Sequence, residues 1–158
     1  MKSLIKFITN TIVIIVLIVA LIVGYNWYQR RQGKVAYFFN YATFAVKGDS
    51  MRPTIEPGDL LIIHKEKDYK EGDIITFVND QKQIVTHRIK EITPEKEYIT
   101  QGDNNKFEDT ETISDQNIYG KVVHDFTQYD EILNFLNTYK WFLIIGFIIL
   151  SVVGRLLL

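Results

Sequence analysis

The 158-residue sequence contains no cysteine, so disulfides, thiol catalysis and cysteine-ligated metal sites are excluded. Its two ends lack acid, because all 19 Asp and Glu residues fall between Asp49 and Glu131. Between Val35 and Thr138 these acids face only 11 Lys and Arg, so this segment has a net charge of −8, whereas the whole chain has −1. So acidic a segment repels phosphate backbones, and nucleic acid is not an expected partner.

The N-terminal end is instead a long apolar run. The stretch TIVIIVLIVALIVG, from Thr11 to Gly24, has no charge. Extended to Ile8 and Tyr28 it reaches about 20 residues, enough to cross a bilayer core of roughly 30 Å. The run is apolar on every face, which disfavours a buried soluble helix, and no small-residue cleavage site follows it, which disfavours a removed leader peptide. Residues 1–28 are therefore predicted to form a transmembrane anchor.

The C-terminal end has a weaker signal of the same kind. WFLIIGFIILSVVGRLLL, from Trp141 to Leu158, has one charge, Arg155, which could reach the lipid headgroups. We predict a second transmembrane helix over residues 139–158; the alternative is a hydrophobic tail lying in the interface. Basic residues flank the first span on both sides, so the positive-inside rule does not orient the chain.

Between the ends, short runs rich in β-formers alternate with turn chemistry. DLLIIHK, DIITFVN, QIVTHRIKEI and EYITQGD are separated by EPGD, KEGD and GDNN, a pattern typical of an all-β domain. The predicted layout is a linker and start of the β-domain over 29–45, a catalytic β-domain over 46–124, and a linker over 125–138. This last linker could be helical, because TQYDEILNFLNTYKW carries apolar residues partly on one face.

A single serine stands in the turn-rich stretch VKGDSMRPTIEPGD. Ser50 there is either a turn residue or a nucleophile, and a nucleophilic serine needs a base within hydrogen-bond reach. His64 ends a predicted strand and His124 has the pattern of a surface residue. His87 lies inside QIVTHRIKEI, so its imidazole is either buried with a structural partner or directed into a cleft.

Two acids in QGDNNKFED could orient such a base. Asp103 is also a good turn former in GDNN, and Asp109 could equally be a solvated surface acid. His87 with these two carboxylates could alternatively hold a metal, but one histidine with acids at this spacing is not a strong metal signature.

The quoted motifs together resemble a known family. GDSMRPTIEPGD resembles the serine box of type I signal peptidases, and EGDIITF resembles the strand that follows it. IVTHRI and QGDNNKFEDTETISDQNIYGKVV are similar to the later boxes of the endoplasmic-reticulum-type branch, also found in archaea and some Gram-positive bacteria, in which histidine replaces the bacterial lysine base. The likeness covers about Val46 to Val123.

The resemblance implies a fold and a set of residue roles. The fold would be mainly β, a signal-peptidase-like β-barrel domain flanked by N- and C-terminal transmembrane helices. Ser50 would be the nucleophile, His87 the general base, Asp109 its orienting partner and Asp103 a supporting residue, although Asp103 could be the partner instead. No cofactor or metal is implied. Many relatives have a serine two places before the nucleophile that helps bind the oxyanion, whereas this chain has Gly48.

The resemblance also implies a substrate and a location. The enzyme would remove signal peptides from exported preproteins after a small-x-small sequence. It would be a multi-pass cell-membrane protein with its catalytic domain on the extracytoplasmic side. Its expected partners are signal peptides, the lipid bilayer and the secretion translocon. Two alternatives stay open: a self-cleaving repressor protease, disfavoured by the anchors and by His87, and a catalytically inactive membrane-tethered β-domain that binds or scaffolds secreted proteins.

Overall fold

The computed structural model describes residues 2–156, without every side chain in the two terminal helices. The chain divides into two compact units, one formed by both chain ends and one by residues 37–133. The first unit contains helix α1, Lys2–Arg31, and most of helix α2, Tyr129–Leu156. Helix α2 begins at Tyr129, within the stretch that the sequence analysis describes as a linker that could be helical.

Helix α1 has the properties that the sequence predicted for an anchor. Its segment Lys6–Gln29 is, within the described residues, the one helix long and apolar enough to cross a membrane, and none of that segment is buried by protein. At its C-terminal end the Arg31 guanidinium stacks 4.0 Å from the centre of the Trp27 ring. The predicted second span, 139–158, falls partly on residues outside the described ones and stays a prediction.

The second unit is an antiparallel sheet of seven strands. The strands are β1 Tyr41–Ala45, β2 Leu60–His64, β3 Ile74–Val78, β4 Ile84–Ile92, β5 Tyr98–Gln101, β6 Thr112–Ile113 and β7 Ile118–Phe126, with a 3₁₀ helix, Asp115–Asn117, before β7. Their order in the sheet is β1-β2-β7-β3-β4-β5-β6. The four β-rich runs of the sequence form β2, β3, β4 and β5, so the mainly β prediction is confirmed.

The predicted barrel is not confirmed, because the described sheet is open. Strand β1 lies at one edge and β6 at the other, and these two edge strands do not pair with each other. Strand β6 has only two residues, which pair with β5 through Tyr98 and Ile99. So short a strand offers too few backbone groups on its outer side to extend a ladder.

The core of the sheet lies under its centre and positions the strand that carries His87. Ile75 and Phe77 of β3, Ile89 of β4 and Ile118 of β7 are almost completely buried. They pack in one cluster with Tyr69, Tyr98 and Ile113. Burial of these side chains fixes which face of each strand points inward, and with it the direction of every neighbouring side chain.

Candidate active site

Ser50 lies on a loop that is closed at its base and anchored at its middle. Backbone hydrogen bonds join Val46 to both Gly58 and Asp59, so the loop leaves and returns to the sheet at one point. Met51 and Ile55 on this loop are each only 2% exposed. Their burial holds the loop against the domain while Ser50, beside Met51, stays partly accessible.

His87 meets Ser50 from strand β4. Its side chain points to the buried side of the sheet, is 8% exposed, and lies edge-on to the Phe77 ring at 6.3 Å. The Nε2 atom lies 3.0 Å from Ser50 Oγ, although the two residues are 37 positions apart in the chain. The other two histidines lie elsewhere, since His64 packs on Tyr41 and His124 packs on Phe126.

Asp109 lies on the far side of the imidazole. Its Oδ2 atom is 2.6 Å from His87 Nδ1. With the proton on Nδ1 donated to this carboxylate, Nε2 has its lone pair free to accept the Ser50 hydroxyl. The structure therefore aligns a hydroxyl, an imidazole and a carboxylate in the order that serine hydrolases use.

Thr100 holds Asp109 in place, and the sequence analysis missed it. Its hydroxyl donates to Asp109 Oδ2 at 2.6 Å, and its carbonyl oxygen accepts the Asp109 backbone N–H at 2.8 Å. Thr100 itself is fully buried on β5. A threonine in a strand reads as an ordinary β-former, so only its position two residues before GDNN could have drawn attention to it.

Asp103 has a different set of partners. Arg88 donates to it from Nε at 2.9 Å and from Nη2 at 2.7 Å, and Thr54 Oγ1 donates at 2.6 Å. The Arg88 guanidinium holds the pKa of this carboxyl below its ordinary value of 3.8, and the carboxylate in turn raises the pKa of Arg88. Arg88 follows His87 in β4 and so points to the opposite face of the sheet, where it also donates to the Gly72 carbonyl.

The loop after β5 is also joined directly to the loop that carries Ser50. The Asn104 backbone N–H donates to the Ser50 carbonyl at 2.8 Å, and its side-chain amide donates to the Asp49 carbonyl at 3.2 Å. At Gly102 the two loops touch so closely that a Cβ atom would lie 2.6 Å from the Ser50 carbonyl oxygen and 2.9 Å from His87 Nε2. Glycine at this position is what permits the approach.

An open pocket of about 310 Å³ lies beside these residues. It is lined by Thr54, Arg88, Lys90, Gln101, Gly102 and Asp103. As for metal ions, no three His, Asp or Glu side chains are grouped to hold one anywhere in the described part of the chain. The chemistry that the arrangement itself offers is nucleophilic attack by a hydroxyl with an adjacent general base.

Comparisons with known proteins agree with this chemistry. The model of the Peptidase S24-like family matches residues 33–123, more than half of the chain. Signal peptidase I W of Bacillus subtilis (strain 168) is 37% identical over 95 residues, which cover 56% of this chain and 50% of the relative. The chain thus spans about half the length of the curated relative that it matches.

Proposed function

The chain belongs to the Peptidase S24-like family, and we propose that it is a membrane-bound serine endopeptidase that removes signal peptides from exported preproteins. The observation that carries the proposal is the alignment of Ser50 Oγ, His87 and Asp109 over distances of 3.0 and 2.6 Å. Similarity to a protein named signal peptidase I supports the substrate class. The inactive scaffold has no comparable support, because a binding module has no need of an aligned triad.

The proposed reaction is acyl transfer in two halves. His87 Nε2 takes the Ser50 proton while Oγ attacks the scissile carbonyl carbon, and Asp109 stabilises the imidazolium that forms. When the tetrahedral intermediate collapses, the C–N bond breaks and His87 gives its proton to the leaving amine. A water molecule, deprotonated by His87, then attacks the acyl-enzyme. The ester bond to Ser50 breaks, Oγ takes the proton back from His87, and the signal peptide leaves with a free carboxylate.

Asp103 has a supporting role in this proposal. Its bonds to Arg88 and Thr54 connect the catalytic strand β4 to the loop that carries Ser50. The negative charge of the developing oxyanion needs donors, and the Ser50 backbone N–H is one. Because Gly48 has no hydroxyl, a second donor must come from another group in the chain or from the substrate.

The choice of histidine as base places the chain, in this proposal, with the endoplasmic-reticulum-type branch. A lysine base must lose its proton before it can act, which requires a desolvated pocket. A neutral imidazole already has a lone pair on one ring nitrogen and needs no such pocket to accept a proton. His87, partly shielded by Phe77 and bonded to Asp109, has the surroundings that such a base needs.

Membrane attachment is part of the proposed mechanism. Helix α1 supplies a candidate anchor, and only about twenty residues of sequence separate its aromatic end from Ser50. A signal peptide is itself held in the bilayer, so confinement of enzyme and substrate to one surface raises their effective concentration. We place the β-domain on the extracytoplasmic side and a second span over residues 139–158. The bilayer and the secretion translocon are further proposed partners of the enzyme.

The test is cleavage of a preprotein by the full-length chain in lipid vesicles, with mass spectrometry of the new N-terminus. Wild type should cut after a small-x-small sequence, and Ser50→Ala and His87→Ala should each reduce the rate by about 10⁴-fold or more. Ser114→Ala is the matched control, because the Ser114 side chain makes no capping hydrogen bond. A serine-reactive probe should label wild type and the Ser114→Ala variant but not Ser50→Ala; equal cleavage by wild type and Ser50→Ala would refute the proposal.

A further inference from the structure

The pocket lined by Thr54, Arg88, Lys90, Gln101, Gly102 and Asp103 differs in charge from the domain around it. Residues 35–138 have a net charge of −8, yet the ionisable groups of the pocket are two cations and one carboxylate. Arg88 and Asp103 neutralise each other in a bidentate pair. Lys90 therefore leaves the pocket with one uncompensated positive charge.

The ammonium group of Lys90 is also available to bind an anionic group. It is exposed on β4 and lies near enough to Asp103 to attract its carboxylate, but among the described residues it forms no close ion pair or hydrogen bond. Arg88 has donors to spare as well, because its bonds to Asp103 and Gly72 occupy three of its five N–H groups. The pocket thus presents unpaired donors and a positive charge, the complement of a carboxylate.

Gly102 and Thr54 connect the pocket to the reaction centre, although Arg88 and Asp103 lie on the face of β4 opposite His87. Gly102 forms part of the pocket wall. A Cβ atom added to Gly102 would lie 2.6 Å from the Ser50 carbonyl oxygen and 2.9 Å from His87 Nε2. Thr54, on another wall, is four residues from Ser50. An extended peptide advances about 3.3 Å per residue, so a side chain within about three residues of the scissile bond can reach the pocket.

We propose that this pocket is a specificity subsite that binds an acidic side chain of the substrate, Asp or Glu, within three residues after the scissile bond. The proposal rests on the proposed peptidase function. In that function the residues one and three places before the scissile bond are small, and we assign the acidic side chain to the mature side. A volume of about 310 Å³ is at the small end of ligand sites and suits one side chain.

The experiment compares peptide substrates with Glu, Gln or Lys at each of the first three positions after the scissile bond, using full-length protein in zwitterionic vesicles. For wild type, Glu should lower KM two- to five-fold relative to Gln at one of these positions, the range of an exposed ion pair, and high salt should remove the difference. Lys90→Gln should abolish the preference, so that its KM values for the Glu and Gln peptides are equal.

Lys96→Gln is the matched control for charge. Lys96 lies in the exposed turn between β4 and β5, four residue pairs or about 13 Å along the hairpin from the pair Arg88 and Gln101. It should keep the wild-type preference. A Glu preference that survives in Lys90→Gln, or a wild type without any preference, would overturn the proposal.

A second readout separates the subsite from the peptidase function. Binding of a fluorescent Glu peptide with an N-methylated scissile amide is measured without cleavage, again against Lys90→Gln. If wild type cleaves no peptide but binds the Glu peptide more tightly than Lys90→Gln does, the function is wrong and the subsite stands. If Lys90 matters only in vesicles with anionic lipid, and equally for Gln peptides, the occupant is a lipid headgroup and the subsite proposal fails.

Discussion

Gly102→Ala tests whether the contact between the loop that carries Ser50 and the loop after β5 sets the rate of the proposed reaction. The backbone angle of Gly102 is open to alanine, so the effect is purely steric. The added Cβ would lie 2.6 Å from the Ser50 carbonyl oxygen, whereas ordinary contact begins at 3.4 Å, so these atoms must separate by about 0.8 Å. The same Cβ would lie 2.9 Å from both His87 Nε2 and the Asn105 side-chain nitrogen, so the strain cannot be relieved by moving toward either.

The size of this displacement predicts how much kcat should fall. Misplacing a reactive group by about 1 Å costs on the order of 10²-fold, so we expect kcat to fall about 50- to 100-fold with little change in KM. Overpacking of this kind also costs about 1–3 kcal/mol of stability, which the domain should survive.

The assay is steady-state cleavage of a preprotein or peptide, with near-ultraviolet circular dichroism to confirm folding. Gly48→Ala is the control, because no atom lies within 4 Å of the Cβ site there, and it should stay within about twofold of wild type. A folded Gly102→Ala variant that keeps more than a third of the wild-type kcat would show that the close approach of the loops does not position Ser50.

Three further predictions concern neighbouring residues. Thr100→Val keeps the shape of the side chain but removes the hydroxyl that donates to Asp109, so kcat should fall about 10-fold or more while KM is unchanged. Thr100→Ser should recover most of the lost kcat, and an equal loss in both variants would mean that packing alone matters. The Gly48→Ser variant has open space for its side chain, and its hydroxyl should add a hydrogen-bond donor to the oxyanion and raise kcat by up to about 10²-fold. No gain over Gly48→Ala would show that the oxyanion hole is already complete. Because Arg88 lowers the pKa of Asp103, their pairing stabilises the fold fully above about pH 4 and loses this effect as the pH falls through the lowered pKa. Asp103→Asn should therefore reduce Tm by roughly 4–8 °C at pH 6 and by progressively less as the pH falls below about 4; a loss independent of pH would contradict the ionic origin.

The sequence by itself determined the local elements. An unbroken apolar run produces helix α1, and runs of β-formers between Gly-Asp turns produce β2, β3, β4 and β5. These features depend on residues within about ten positions of one another, so periodicity and turn chemistry are enough to find them. The motifs also singled out Ser50, His87, Asp103 and Asp109 as candidate site residues.

The tertiary structure decided how those residues are connected. Sequence left both aspartates open as partners of His87; in the structure Asp109 lies against the imidazole, and Asp103 lies against Arg88 on the opposite side of β4. Thr100 was not foreseen at all, and the expected barrel is an open sheet. These contacts join residues that are 9 to 37 positions apart in sequence, and they depend on strand register and on the path of the loops. Such pairings leave no periodic signal in the chain.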